Sequence, residues 1–525
     1  MATTVWKGPQ LALPRAGTLP ELAEERAAVA PDGILLVNAE TGQQLTAFAL
    51  KQAYRKAARG LAALGFGRGD CLCTLMGNDL SWYVGALAAQ SLGGSISGIN
   101  PLAMAGEIER QFSSVPAKAI LAVPPLVPVA KKIAAELDIA IVLSTGPGAD
   151  GATIWDIDGP ALDQPIGCSS TDTAILPFSS GSTGLPKATV VTHANMVASA
   201  VQIQHALKFG PGDRLLGLAP LFHIVGPNLF AAVLARGGSI AVVPRFDPVA
   251  VFEAIENHHV THVPLLTPIL RTLARHPAGE GRDFAHVRLM GAGGSAMSIP
   301  DHAAAVARFG CPVLQVYGMT ETSAAIAIDD PANPAPQTVG YPVALMSIRI
   351  SDEAGNLLPV GREGEIQVSG PNVCSGYLGA ANETAAMYTP DGFLRTGDLG
   401  KMREDGRLTI TGRIKEMIKV NSGQVAPAEL EMLLAGHPDV IEAAVVGRPN
   451  RFCGEIPVAY LVLASQANPY AVVDWLNEQL IGYKRVRAVE VVKALPKNGT
   501  GKLDRKALAT LESGVGVLQA VECAA

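Results

Sequence analysis

Phe178-Ser-Ser-Gly-Ser-Thr-Gly-Leu-Pro-Lys187 is a hydroxyl- and glycine-rich stretch closed by a single lysine. Gly181 and Gly184 allow tight bending and a close backbone approach to an anion. Ser179, Ser180, Ser182 and Thr183 add hydrogen-bond donors, and Lys187 adds a positive charge. Those parts suit a polyphosphate. The spacing is not that of a Walker A loop, which needs GxxxxGK followed by Ser or Thr; here Pro186 precedes the lysine and Ala188 follows it. Taken alone, the stretch also reads as a flexible surface connection, so the choice rests on what comes later in the chain.

Three further motifs follow, the second of them in two parts, 393–399 and 412–419. In Gln315-Val-Tyr-Gly-Met-Thr-Glu321 a strand runs into a turn. Tyr317 can stack on a base, Thr320 can donate to a phosphate, and Glu321 can hold Mg²⁺ directly or through water. A core tyrosine beside an ordinary turn is the alternative. Phe393-Leu-Arg-Thr-Gly-Asp-Leu399 places Asp398 after a glycine, where a carboxylate can accept both hydroxyls of a ribose. Gly-Asp is equally a turn signature. Gly412-Arg-Ile-Lys-Glu-Met-Ile-Lys419 reads as a basic turn in which Arg413 could reach the same ribose, or simply face solvent. Pro496-Lys-Asn-Gly-Thr-Gly-Lys502 presents Lys502 on a glycine loop, although a lysine near a C-terminus is usually just solvated.

In this order the four motifs closely resemble the adenylate-forming superfamily of acyl-CoA ligases, nonribosomal-peptide adenylation domains and beetle luciferases, from about residue 19 to residue 508. The resemblance implies an α/β fold. A large N-terminal domain (1–414) would hold two α/β subdomains plus a distorted β-barrel, and a small mobile α+β lid domain (415–525) would follow. It further implies that a carboxylate attacks the α-phosphate of ATP, that the lid rotates, and that a thiol then attacks the acyl carbon.

Carried over by position, Ser179, Ser180, Gly181, Ser182, Thr183, Gly184 and Lys187 would embrace the β- and γ-phosphates. Thr320 would touch the α-phosphate and Glu321 the Mg²⁺. Tyr317 with Gly291, Gly293 and Gly294 would sandwich adenine, and Asp398 and Arg413 would hold ribose. Lys502 would bridge carboxylate and α-phosphate, and Lys415 would be the hinge. Lys419, Ser422, Gly423 and Gln424 would face the site or thiol channel after rotation. His223, in Pro220-Leu-Phe-His-Ile-Val-Gly226, matches the residue beside the acyl carboxylate and thiol tunnel.

The chain departs from the pattern twice. Ala188 and Thr189 replace the usual Gly-Val after the loop lysine, which could impair phosphate closure. Val316 stands where many aryl-CoA ligases have a pocket glycine, so it narrows a slot for a flat acid unless the neighbouring glycines open space.

The rest of the sequence fits this reading. A chain of 525 residues exceeds one ordinary core. Hydrophobic content of 48% with 17% charged residues describes a well-buried globular protein. A formal net charge of -6 without a Lys/Arg block argues against nucleic acid as a partner. Seven scattered cysteines suit free thiols in a reducing compartment. No signal-peptide pattern opens the chain, and the uncharged stretch 215–235 is interrupted by Pro220, His223, Pro227 and Asn228, so it reads as buried chain entering a pocket and not a membrane span. A cytoplasmic location is expected.

Helical patterns alternate with apolar strands to about residue 342, as in 45–64, a helix, followed by a strand from Asp70. Short strands with Gly and Asp turns then take over, including a hairpin at Asp405-Gly406, before a final α+β unit.

The expected activity is therefore an ATP- and Mg²⁺-dependent ligase joining a hydrophobic fatty or aryl carboxylic acid to coenzyme A, with a role in secondary metabolism. Loading of a carrier-protein pantetheine, a half-ligase acting on a pre-made adenylate, a luciferase-like oxygenase and a non-catalytic nucleotide binder are the alternatives. The acid, the pathway and the choice between monomer and homodimer are not readable from the sequence.

Overall fold

Alternation of helices with fully buried strands produces two largely parallel sheets. The computed structural model describes residues 5–147, 152–160, 167–179, 187–420, 423–450, 453–465, 467–497 and 503–510. In the first sheet the order is Val191–Thr192, Thr173–Ile175, Ser95–Ile99, Cys71–Leu75, Ala117–Ala122 and Ile141–Ser144, parallel except at the Val191–Thr192 edge. Every residue of Cys71–Leu75 and Ser95–Ile99 is buried, as strands covered on both faces require.

In the second, nine-stranded sheet, Val313–Tyr317, Leu289–Gly293, His262–Leu266, Arg214–Gly217, Ser239–Val242 and Ile34–Asn38 run parallel in that order. Antiparallel pairs close its two edges. The helix expected over 45–64 spans Ala47–Ala63, because Gln44–Thr46 is drawn into the edge pair and Thr46 caps the helix, accepting from Ala49 N at 3.1 Å. The stretch 215–235 resolves into the end of a strand, a turn, and the helix Val225–Arg236. No helix among the described residues is long and apolar enough to cross a membrane.

The β part expected as a distorted barrel is a five-stranded antiparallel sheet of Trp6–Lys7, Ser347–Ser351, Gly364–Ser369, Leu394–Met402 and Leu408–Arg413. Gly406, at φ 83, makes the turn between the last two. Beyond Arg413 a separate sheet forms from Gly423–Val425, Ile418–Val420, Gly454–Leu463, Val440–Asn450 and Ala488–Val491. Helices Pro427–Leu434 and Pro469–Asn477 cover it, burying Leu430, Leu434, Val472 and Leu476 against Val445 and Leu461. The six described cysteines, Cys71 and Cys73 included, are free.

Candidate functional site

Among the described residues, Tyr317, Gly293, Ser179 and His223 lie at or just beyond the C-terminal ends of the parallel strands. Tyr317 and Gly293 end their strands, Phe178–Ser179 follows Thr173–Ile175, and the turn bearing His223 follows Arg214–Gly217. This is the edge where open α/β sheets collect ligands.

Asp398 does not lie in the turn that Gly-Asp suggests. It sits within the strand Leu394–Met402, directly opposite Arg413 on the next strand. The register with Gly364–Ser369 slips across residues 395–399, and Gly397 there adopts φ 69. A bulge of this kind re-aims the side chain beside it. Asp398 is thereby buried, accepting from the Tyr317 hydroxyl at 2.7 Å and pairing with Arg413 Nε at 2.8 Å. Burial raises the Asp398 pKa while Arg413 pulls it back, and burial beside Asp398 holds the Tyr317 phenol well above its ordinary range, protonated as a donor. Each carboxylate oxygen can accept more than one hydrogen bond, so acceptor capacity remains for a diol.

The turn after Tyr317 is strained and heavily braced. A Cβ on Gly318 would lie 1.4 Å from the Ala324 carbonyl oxygen, so only glycine fits. Ser323 and Ala324 take φ 48 and 95 without being glycine. Asn372 Nδ2 donates to the carbonyls of Thr322 (2.7 Å) and Ala325 (2.9 Å), and Asn228 Nδ2 donates to that of Ser323 (2.9 Å). The result holds Thr320 half-buried and Glu321 only 5% exposed. Glu321 Oε1 accepts from the Tyr377 hydroxyl at 2.6 Å, and no lysine or arginine among the described residues pairs with it. A buried carboxylate that, among the described residues, meets a neutral side-chain donor and no cation fits a metal ion, and Mg²⁺ commonly takes one or two carboxylates alongside phosphates and water.

Lys187 is largely buried, 3.4 Å from Glu383 and with its Nζ 5.4 Å from the centre of the Tyr377 ring. Ala188 pairs with Phe178 and packs in the core around Cys71 and Cys73, so its methyl is accommodated. Thr189 is fully buried, and its hydroxyl has no partner among the described residues. Thr189→Val should therefore stabilise the fold by about 1 kcal/mol, since an unpaired buried hydroxyl is removed at constant shape. A raised urea midpoint at unchanged slope checks this.

Gly293 pairs with Val316 across the sheet; a Cβ at Gly293 would lie 3.6 Å from that of Val316, and one at Gly291 would lie 3.7 Å from Val316 Cγ2. The valine thus stands beside the glycine strip, which turns at Gly294 with φ 85. His223 is half-buried, and its Nδ1 accepts from Val225 N at the start of the helix Val225–Arg236. Its turn can approach the strand Ser95–Ile99 because residue 98 is glycine; a Cβ there would lie 2.3 Å from Phe222 Cα. Asn78 fixes the same turn, accepting from Leu221 N at 3.0 Å and facing the carbonyls of Gly217 and Leu218 at 3.1 and 3.2 Å.

Lys415, Lys419 and Gln424 are exposed, and Gly423 packs closely against Tyr483. Ser180, Gly181, Ser182, Thr183, Gly184, Ser422 and Lys502 lie outside the described residues. Sequence reading missed Asn78, Asn372, Tyr377 and Glu383; the glycine-dense run 370–379 was the one local signal near the last three.

Two largely parallel sheets followed by an antiparallel sheet and a small α+β unit make the fold of an adenylate-forming enzyme. The AMP-binding enzyme family matches residues 23–378, and its C-terminal domain matches residues 429–502. The chain is 33% identical over 546 residues to 4-coumarate–CoA ligase 2 of Oryza sativa subsp. japonica, covering 97% of this chain and 95% of the relative. Among solved structures, the amide bond synthetase McbA from Marinactinospora thermotolerans superposes with TM-score 0.85 at 30% identity, over 94% of this chain and 99% of that one. The O-succinylbenzoate coenzyme A synthetase MenE from Bacillus subtilis, in complex with ATP and magnesium ion, does so with TM-score 0.83 at 28% identity, over 93% and 98%. The chain belongs to the AMP-binding enzyme family, in its AMP-forming acyl-CoA ligase branch.

Proposed function

We propose that this ligase activates a hydrophobic aryl or fatty carboxylic acid with ATP and Mg²⁺ and passes the acyl group to the thiol of coenzyme A. The observation that carries the nucleotide half is the Tyr317–Asp398–Arg413 chain, which assembles an aromatic face and a diol acceptor from strands far apart in sequence. Relatives named as CoA ligases support the thiol acceptor.

In this reading Asp398 and Arg413 orient the ribose, and Tyr317 stacks on adenine. The 179–187 loop and Lys187 neutralise the outer phosphates, and Thr320 steadies the α-phosphate. Mg²⁺, when bound through Glu321, would supply charge neutralisation on the phosphates. A carboxylate oxygen of the acid attacks the α-phosphorus and pyrophosphate departs, with Lys502 drawing nucleophile and electrophile together. The thiol sulfur then attacks the acyl carbon and AMP departs, beside His223 and with Lys419, Ser422, Gly423 and Gln424 facing the channel. The accommodated Ala188 supports a complete two-step enzyme over a half-ligase.

The test is pyrophosphate exchange and thioester formation across a panel of aryl, fatty and dicarboxylic acids. Coenzyme A, a phosphopantetheinyl carrier protein and a simple amine would be offered as acceptors. Acid-dependent exchange with thioester only on the carrier, or amide only on the amine, would replace the coenzyme A reading. Val316 should favour slim chains over broad rings. Val316→Gly is expected to shift the kcat/KM ratio toward bulky aryl acids by roughly tenfold, in line with a change of a few methyl groups in an apolar pocket.

A further inference from the structure

Tyr377 belongs to none of the four motifs, yet it touches two of the groups expected to hold the triphosphate. The segment 374–378 is stitched to the phosphate-loop exit by backbone bonds. Leu378 N donates to Ala188 O at 2.9 Å, Val190 N to Gly376 O at 2.8 Å, and Ser375 N to Val190 O at 3.0 Å. Cys374 N donates to the Glu321 carbonyl at 2.8 Å, which ties the segment to the strained turn as well. Asn195, the capping-box partner of Thr192 at the start of the helix His193–Leu207, holds the approach to it by donating to the carbonyls of Pro371 (2.8 Å) and Val373 (2.9 Å). The Tyr377 backbone is thus fixed from three directions.

From that position the side chain serves two neighbours with two different parts. Its hydroxyl donates to Glu321 Oε1 at 2.6 Å, and its ring lies against Lys187, with Nζ 5.4 Å from the centroid. A neutral donor on one oxygen orients a carboxylate without cancelling its charge, and an aromatic face attracts an ammonium without consuming its hydrogen bonds. We propose that Tyr377 is a positioning residue that sets Glu321 toward the nucleotide-bound metal ion and Lys187 toward the phosphates. This rests on the reading of Glu321 and Lys187 given above.

The probe is ATP, titrated calorimetrically with EDTA and again with Mn²⁺ as the divalent ion, so that no acid need be known. In the wild type Mn²⁺ should tighten ATP binding. Tyr377→Phe keeps the ring and loses the hydroxyl. It should leave metal-free ATP affinity within about twofold but cut the Mn²⁺-dependent tightening by about tenfold, the usual scale for losing an outer partner of a metal ligand. Tyr377→Leu should weaken metal-free binding too. Glu321→Gln is the control for the underlying reading. If Glu321→Gln loses the tightening while Tyr377→Phe keeps it, the Tyr377 proposal is overturned. If Glu321→Gln keeps it, the assignment of Glu321 itself fails. A Tyr377→Phe variant that loses metal-free and metal-dependent binding equally, with a lowered melting temperature, would mark the tyrosine as merely structural and overturn the proposal.

Discussion

Lys502→Ala is expected to lower acid-dependent pyrophosphate exchange by about 10²–10³-fold, the cost of removing one preorganised charge-stabilising donor. Attack of a carboxylate on a polyphosphate brings two anions together, so a further cation beside the reacting atoms would lower the barrier. Lys187 is paired to Glu383, and Arg413 to Asp398. A cation on a glycine loop can bridge the attacking carboxylate and the α-phosphate, and leave once the adenylate exists. Conversion of a supplied acyl-adenylate to thioester should therefore fall only a few-fold. The same acid, chosen from the panel, serves both assays. Equal losses in the two half-reactions would remove Lys502 from the adenylation step.

The parts legible in sequence were those written locally. β/α alternation marked the two sheets, and Asp405-Gly406 marked its hairpin. Local signals also misled where pairing overrode them. Gly-Asp at 397–398 has the composition of a turn, but cross-strand pairing with Arg413 and a bulge at Gly397 make it part of a strand. The strand Val440–Asn450 runs past its apolar stretch because Arg448, Pro449 and Asn450 complete a long antiparallel pair with Gly454–Leu463. The supporting side chains were invisible for a different reason. Asn78 reaches residues 139 positions away, and Tyr377 reaches Glu321 across 56. A lone asparagine or tyrosine in an apolar segment carries no period or spacing that points to so distant a partner.

Lys415→Pro is expected to separate the two half-reactions in the opposite sense to a simple loss of activity. Lys415 is the middle residue of a single 3₁₀ turn, Ile414–Glu416, set between the last strand of the five-stranded sheet and the first strand of the C-terminal sheet. Glu416 is gripped by Arg505 Nε at 2.9 Å, and the same guanidinium holds Glu431 at 2.7 and 2.9 Å, so the chain after Lys415 is tied firmly to the C-terminal unit. If that unit rotates as proposed, the change would be absorbed at or just before Lys415. Proline fixes φ near −65°, which suits a 3₁₀ turn, and it is tolerated early in such a turn where no backbone donor is needed. The substitution should keep this pose and block departure from it. Lys419 and Gln424, exposed here, would then stay away from the thiol channel they are proposed to face after rotation. Adenylate formation should persist within several-fold, while overall thioester formation falls by about 10²-fold, the scale of a misplaced reacting group. Lys415→Gly, which frees φ, should retain both. Pulse-quench measurement of enzyme-bound adenylate against released thioester reads the split directly, and normal turnover of the proline variant would place the hinge elsewhere.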